Sequence, residues 1–149
     1  MKIAIGNDHR GVELKKSIMR HFKDQVFVDV GTPSHESTDY VDYAEKVCEQ
    51  ILSGNCQYGI LICGSGIGMS IVANRFAGIR AAMVWNTHIA EFCRKHNDAN
   101  VLCLASDCVD DPKTQEIIKI FLNTKFEGGR HKQRLEKIRH LEKKLGFHL

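Results

Sequence analysis

The chain has 149 residues, 43% of them hydrophobic and 26% charged, a balance that excludes disordered, fibrous and membrane-embedded proteins and fits one domain with a core large enough to fold without metal or disulfide staples. No apolar run approaches the roughly 18 residues of a membrane span, and the opening Met1-Lys2-Ile3-Ala4-Ile5-Gly6 lacks the long apolar stretch of a signal peptide, so the expected location is the cytoplasm. The net charge of +3 is too small to imply nucleic acid by itself, but residues 125 to 149 carry eight Lys or Arg against three acids, leaving the first 124 residues at −2.

Five short runs rich in Val, Ile, Leu and Ala read as strands: Lys2 to Gly6, Val26 to Val30, Tyr58 to Ile62, Arg80 to Val84 and Val101 to Leu104. Their continuous apolar character predicts burial on both faces, as in a parallel sheet. Helical patterns alternate with them. Leu14, Ile18 and Phe22 recur every four residues, and Ala44, Val47, Cys48, Ile51 and Leu52 mark a second helix closed by Gly54-Asn55. A third begins within Gly66 to Met69 and runs to about Phe76, and a fourth uses Ile89, Phe92 and Cys93. A fifth starts at Asp111-Pro112, with Ile117, Ile118, Phe121 and Leu122 inward. After the Glu127-Gly128-Gly129 break, Leu135, Ile138, Leu141 and Leu145 give a last amphipathic helix over about 130 to 145, packing on the body or on a second subunit. This alternation predicts a single α/β domain over 1–149, a Rossmann-like α/β/α sandwich around a five-stranded parallel sheet.

Six cysteines occur without a CxxC pair, several inside apolar segments, so most read as reduced core thiols. Cys103 and Cys108 form a lone C-x4-C with no second half, which argues against structural zinc, and no metal is expected.

In open parallel sheets ligands bind beyond the carboxyl ends of strands. The third strand runs into Cys63-Gly64-Ser65-Gly66-Ile67-Gly68-Met69-Ser70. Three glycines in five residues let backbone N–H groups approach an anion, and a helix start adds partial positive charge. The spacing is not that of a dinucleotide fingerprint, and Met69 stands where a cysteine phosphatase loop needs arginine. Cys63 is either a thiol packing under the loop or a thiolate acting as base or nucleophile; the adjacent glycines favour the second reading. Asp8-His9 after the first strand suits proton transfer to sugar or carbonyl oxygens, although Asp8 is equally a helix cap. His96 at the end of the fourth helix suits a general acid, while Asn97 also reads as a left-handed cap residue. Arg130 and Arg134 stand four apart on one helical face, either as a phosphate fork or in ion pairs with Glu127 or Glu136.

Taken in order, Asn7-Asp8-His9, Thr38-Asp39-Tyr40, Ile62-Cys63-Gly64-Ser65-Gly66-Ile67-Gly68, Ala73-Asn74-Arg75-Phe76-Ala77-Gly78-Ile79-Arg80, His96-Asn97-Asp98-Ala99-Asn100-Val101 and Glu127-Gly128-Gly129-Arg130-His131 resemble the type B ribose-5-phosphate isomerases, whose family also holds galactose-6-phosphate and allose-6-phosphate isomerases. The resemblance spans nearly the whole chain. It implies a homodimer or dimer of dimers with active sites shared between subunits, and aldose–ketose isomerisation of a small sugar phosphate without cofactor, membrane or nucleic-acid partner. By the same resemblance Cys63 is the base, His96 assists ring opening, Gly64, Ser65, Gly66, Ile67 and Gly68 hold the enediolate, Asp8 and His9 contact the sugar, and Asn97, Arg130 and Arg134 bind substrate, with the arginines on the phosphate. Tyr40 is a wall of the pocket. Two positions depart from the pattern: Asp107 stands where many relatives carry arginine, and Tyr40-Val41 replaces the family's Tyr-Pro. Pentose and hexose phosphates, and a phosphosugar-binding module without catalysis, remain alternatives at this level.

Overall fold

The computed structural model describes residues 1–146, so the last three positions of the single-domain reading lie outside the described residues. In chain order the elements are β1 (Lys2–Asn7), α1 (Val12–His21), β2 (Val26–Asp29), α2 (Tyr40–Leu52), β3 (Tyr58–Cys63), α3 (Ile67–Ala73), β4 (Ala81–Met83), α4 (Thr87–Lys95), β5 (Val101–Ala105), α5 (Asp111–Asn123) and α6 (Arg130–Lys144). All strand pairs are parallel, in the order β2-β1-β3-β5-β4. The expected five-stranded α/β/α architecture is therefore present.

Strand periodicity sorts the core into two layers, because successive side chains leave opposite faces of the sheet. Ile3, Ile5, Ile60, Ile62, Leu102 and Leu104 face one way, where Leu14 and Ile18 of α1, Ala90 and Cys93 of α4, and Ile117, Ile118 and Phe121 of α5 cover them. Ala4, Leu61, Cys63, Val101 and Cys103 face the other way, against Val47 and Cys48 of α2 and Met69 and Ala73 of α3. The chain thus leaves β1 toward one face and the adjacent β3 toward the other. Neighbouring strands whose connections part in this way open a crevice at their carboxyl ends.

Three expectations need correction. β2 and β4 are the edge strands and are only half-buried, with Val26 exposed, so apolar composition overstated their cover. α3 stops at Ala73 rather than near Phe76 because Asn74 turns the chain into β4: its amide donates to Ser70 O and Ala81 O, both at 2.9 Å, and its Oδ1 accepts from Ala81 N–H at 2.9 Å. The fifth helix starts at Asp111 as expected, capped by Asp110, which accepts from Lys113 N–H at 2.9 Å. The left-handed residue after α4 is Asp98, with φ of 46°, not Asn97.

Candidate active site

Cys63 ends β3 at the crevice and is buried. Its Sγ accepts the Gly66 N–H at 3.1 Å, so the loop aims an amide at the sulfur. Gly66 bends the chain with φ of 74°, where a side chain would be strained. Three other cysteines contrast with this placement. Burial pushes Cys48 up to about 12, helped by Glu45 and Glu49, and Cys93 up to about 11, and it raises Cys103 further. These are inert core thiols. All six cysteines are free; five are buried, as the expectation for most of them had it, and Cys108 is exposed.

The crevice is walled by Asp8, Arg10, Tyr40, Cys63, Ser65 and Asp107. Asp8 caps the turn and faces the crevice: its Oδ1 accepts the Arg10 N–H at 2.9 Å, starting a 3-10 turn over His9–Gly11, and it lines the same cleft as the thiol. His9 Nδ1 accepts the Thr38 N–H at 3.3 Å. That bond assigns the ring proton to Nε2, leaving an N–H donor free for a ligand. Ser65 is exposed, with its Oγ accepting the Ile67 N–H at 3.3 Å. Tyr40 packs against the loop, since a Cβ at Gly68 would stand 2.7 Å from its Cζ.

The remaining expected residues sit elsewhere. His96 caps the carboxyl end of α4, which runs back against the sheet, so it stands at the amino-terminal edge. There Gly59 N–H donates to Asn100 O at 2.9 Å, and from Gly59 to Cys63 the strand advances about 13 Å. His96 is grouped with residues that the sequence did not mark as partners. Its ring stacks on His131 at 4.2 Å between centroids and on Phe92 at 4.6 Å, and Glu127 Oε2 lies 4.0 Å from His96 Nε2 and 3.8 Å from His131 Nε2. Burial, with the nearby His96, Arg130 and Arg134 charges, holds His131 below the ordinary imidazole value against the opposing pull of Glu127. Asn97, Arg130 and Arg134 are exposed on the same side. Neither arginine forms an ion pair with Glu127 or Glu136 among the described residues, so the salt-bridge reading of the pair fails.

The turn that presents His96 and Asn97 is braced from beneath. Asp98 accepts Arg94 Nη1 at 2.8 Å and Arg80 Nη2 at 3.0 Å, and buried Arg94 also donates to Ala99 O at 2.7 Å and Tyr58 Oη at 3.0 Å. One chain therefore carries two clusters of candidate residues at opposite edges of its sheet: a thiol, an amide loop and Asp8-His9 on one, and on the other His96, Asn97 and two guanidinium groups without an ion-pair partner among the described residues.

The family model described as Ribose/Galactose Isomerase matches residues 3–138. The chain is 43% identical over 145 residues to ribose-5-phosphate isomerase B of Escherichia coli (strain K12), covering 96% of this chain and 97% of that protein. The structure of Clostridium thermocellum ribose-5-phosphate isomerase B superposes with a TM-score of 0.95 at 45% identity, over 97% of this chain and 99% of that one. The Mycoplasma genitalium ribose-5-phosphate isomerase B structure with bound ribulose-5-phosphate gives 0.90 at 40% identity, over 95% and 96% respectively.

Proposed function

The chain belongs to the ribose/galactose isomerase family, and we propose that within it the protein interconverts D-ribose 5-phosphate and D-ribulose 5-phosphate in the cytoplasm, as a homodimer or dimer of dimers. The observation that carries this reading is the thiol of Cys63, held under an amide loop beside Asp8 at the mouth of the central crevice. The names of the relatives supply the substrate class.

In the forward direction the partner subunit's His96 protonates the ring oxygen as its bond to C1 breaks, and the O1 hydroxyl gives its proton to the Asp8 carboxylate that lines the crevice, opening the furanose to the aldehyde. The Cys63 thiolate removes the proton from C2 of the open aldehyde, and electrons move onto O1 to give a cis-enediolate. The amides of the Gly64–Gly68 loop stabilise that charge as an oxyanion hole does. Cys63 then returns the proton to C1 while the Ser65 hydroxyl relays the proton between O1 and O2, leaving a ketone at C2. Asp8 and the free Nε2–H of His9 hold the sugar hydroxyls, and Asn97, Arg130 and Arg134 of the partner hold the phosphate end. Every step uses a proton donor or acceptor already in the chain, so the scheme needs neither metal nor cofactor.

The opposite-edge placement of the half-sites supports sharing between copies, because about 13 Å of strand lies between the levels of Gly59 and Cys63. Exposed apolar groups near each half-site, Ile67 and Ile71 on α3, and Leu141 on α6 with Leu145 just after it, offer the surface such an assembly covers.

The test is turnover of ribose 5-phosphate in the presence of a chelator, comparing the parent with Cys63→Ala. The expected result is ribulose 5-phosphate formation by the parent and a loss of several orders of magnitude in the variant, which still binds substrate. A parent active only on allose 6-phosphate or galactose 6-phosphate moves the substrate within the family. A parent inert on all of them refutes catalysis and leaves a binding module.

A further inference from the structure

Sheet order places β1 and β5 on either side of β3, and residues following the two flanking strands meet over the loop that follows the middle one. Arg10 and Asp107, 97 positions apart, form an ion pair there. The pair lies directly on Gly64: a Cβ at that position would stand 2.7 Å from Arg10 Nε and 2.9 Å from Asp107 Oδ2. Both backbones are fixed to the site. Arg10 N–H donates to Asp8 Oδ1 at 2.9 Å, Asp107 N–H to Gly64 O at 3.1 Å, and Ser106 N–H to Cys63 O at 2.9 Å.

Asp107 engages only Nη2. Among the described residues the Nε–H and Nη1 groups of Arg10 donate to nothing, and 55% of its side chain is open. Arg10 is also the one Lys or Arg that lines the Cys63 crevice among the described residues. Without it, the crevice would present Asp8 and Asp107, two carboxylates, to a dianionic ligand. Nη2 carries two hydrogens and Asp107 takes one, so the other, with the parallel N–H beside it, still forms a fork matched to a phosphate.

We propose that Arg10, oriented by Asp107, is the cation that binds the substrate's phosphate from the Cys63 side of the site, facing the arginines that the partner's α6 brings to the other side. This inference rests on the reading of the crevice as a sugar-phosphate site. Arg10 contacts the substrate; Asp107 is a positioning residue that sets the plane of the fork.

The experiment compares the full-length parent with Arg10→Met and Arg10→Lys, measuring kcat and KM on whichever sugar phosphate the parent turns over, and inhibition by inorganic phosphate. Losing one forked, charge-assisted contact raises KM by about ten- to a hundred-fold, raises the phosphate inhibition constant in parallel, and leaves kcat within about three-fold of the parent. Arg10→Lys recovers part of both. Asp107→Asn, which still accepts from Nη2, keeps KM at or below the parent's value, whereas Asp107→Leu raises it. Unchanged KM and phosphate inhibition in Arg10→Met overturn the inference and leave the pair as a strap over Gly64, as does a fall in kcat alone. A parent that neither isomerises a sugar phosphate nor binds inorganic phosphate removes the functional reading itself; an active parent with a flat variant series removes only this inference.

Discussion

Replacing Arg94 by Met tests whether the brace beneath the His96 turn is held by the guanidinium or merely by packing. Arg94 is 5% exposed and makes charged hydrogen bonds to Asp98, Ala99 O and Tyr58 Oη. It also stands 4.9 Å over the Tyr58 ring. Met keeps much of the length and the apolar contact with Tyr58 and Phe121 but removes every donor. The buried carbonyl of Ala99 then loses this donor, at about 1–3 kcal/mol, and breaking a buried charged pair costs about 3–5 kcal/mol in all. Two features pull the figure to the lower end. Asp98 keeps its bond to Arg80, and Met relieves the burial of a guanidinium whose Nε has no partner. The net expectation is a destabilisation of about 3 kcal/mol, or roughly 6–12 °C in Tm for a chain of this size. Urea unfolding followed by circular dichroism at fixed protein concentration reads it directly, the fixed concentration being needed because assembly stabilises the fold. A loss below about 1 kcal/mol would refute the argument and show that side-chain packing, not the hydrogen-bond network, holds the turn.

His131 gives a pH signature. Its folded pKa is depressed from 6.5, so the unfolded chain binds more protons on the acid side, and the stability His131 contributes is present above 6.5 and lost as pH falls below it. The stability difference between the parent and His131→Asn should therefore shrink or reverse from pH 8 to pH 5.5; a pH-independent difference contradicts the assignment. Gly68→Ala forces Tyr40 off the loop, because its Cβ would meet Tyr40 Cζ at 2.7 Å. Tyr40 is partly exposed and swings away at small cost, so kcat/KM should fall at least about ten-fold while stability changes by less than about 1 kcal/mol. Parent-like kinetics would mean that the Tyr40 wall has no part in the site.

Local signals carried most of the fold. Val- and Ile-rich runs located all five strands, and i, i+4 apolar spacing located the helices, because these patterns reflect burial that each segment needs wherever it packs. Edge position is different: β2 and β4 are as apolar as central strands, and only topology reveals that each has one neighbour. Asn74 ends α3 through hydrogen bonds to β4, a long-range event with no local mark. The two arginine networks share that cause, since Arg10 meets Asp107 across 97 residues and Arg80 meets Asp98 across 18. Asp107 stood out in the sequence only as a departure from the family pattern; its partner, Arg10, gives it a reason. The separation of Cys63 from His96 was legible in principle, because a helix joining parallel strands runs back along the sheet and its carboxyl end lies at the opposite edge. The stacking of His131 on His96 had no sequence signal beyond its place beside Arg130.

Subunit complementation tests the shared site most directly. Cys63→Ala and His96→Asn are each expected to abolish turnover alone, and co-expression scrambles them into mixed assemblies. If each site takes Cys63 from one copy and His96 from its partner, half of the dimers are mixed, each with one intact site, and activity returns to about 25% of the parent. Activity no greater than the sum of the two single variants would contradict the account and place both residues' work within one chain.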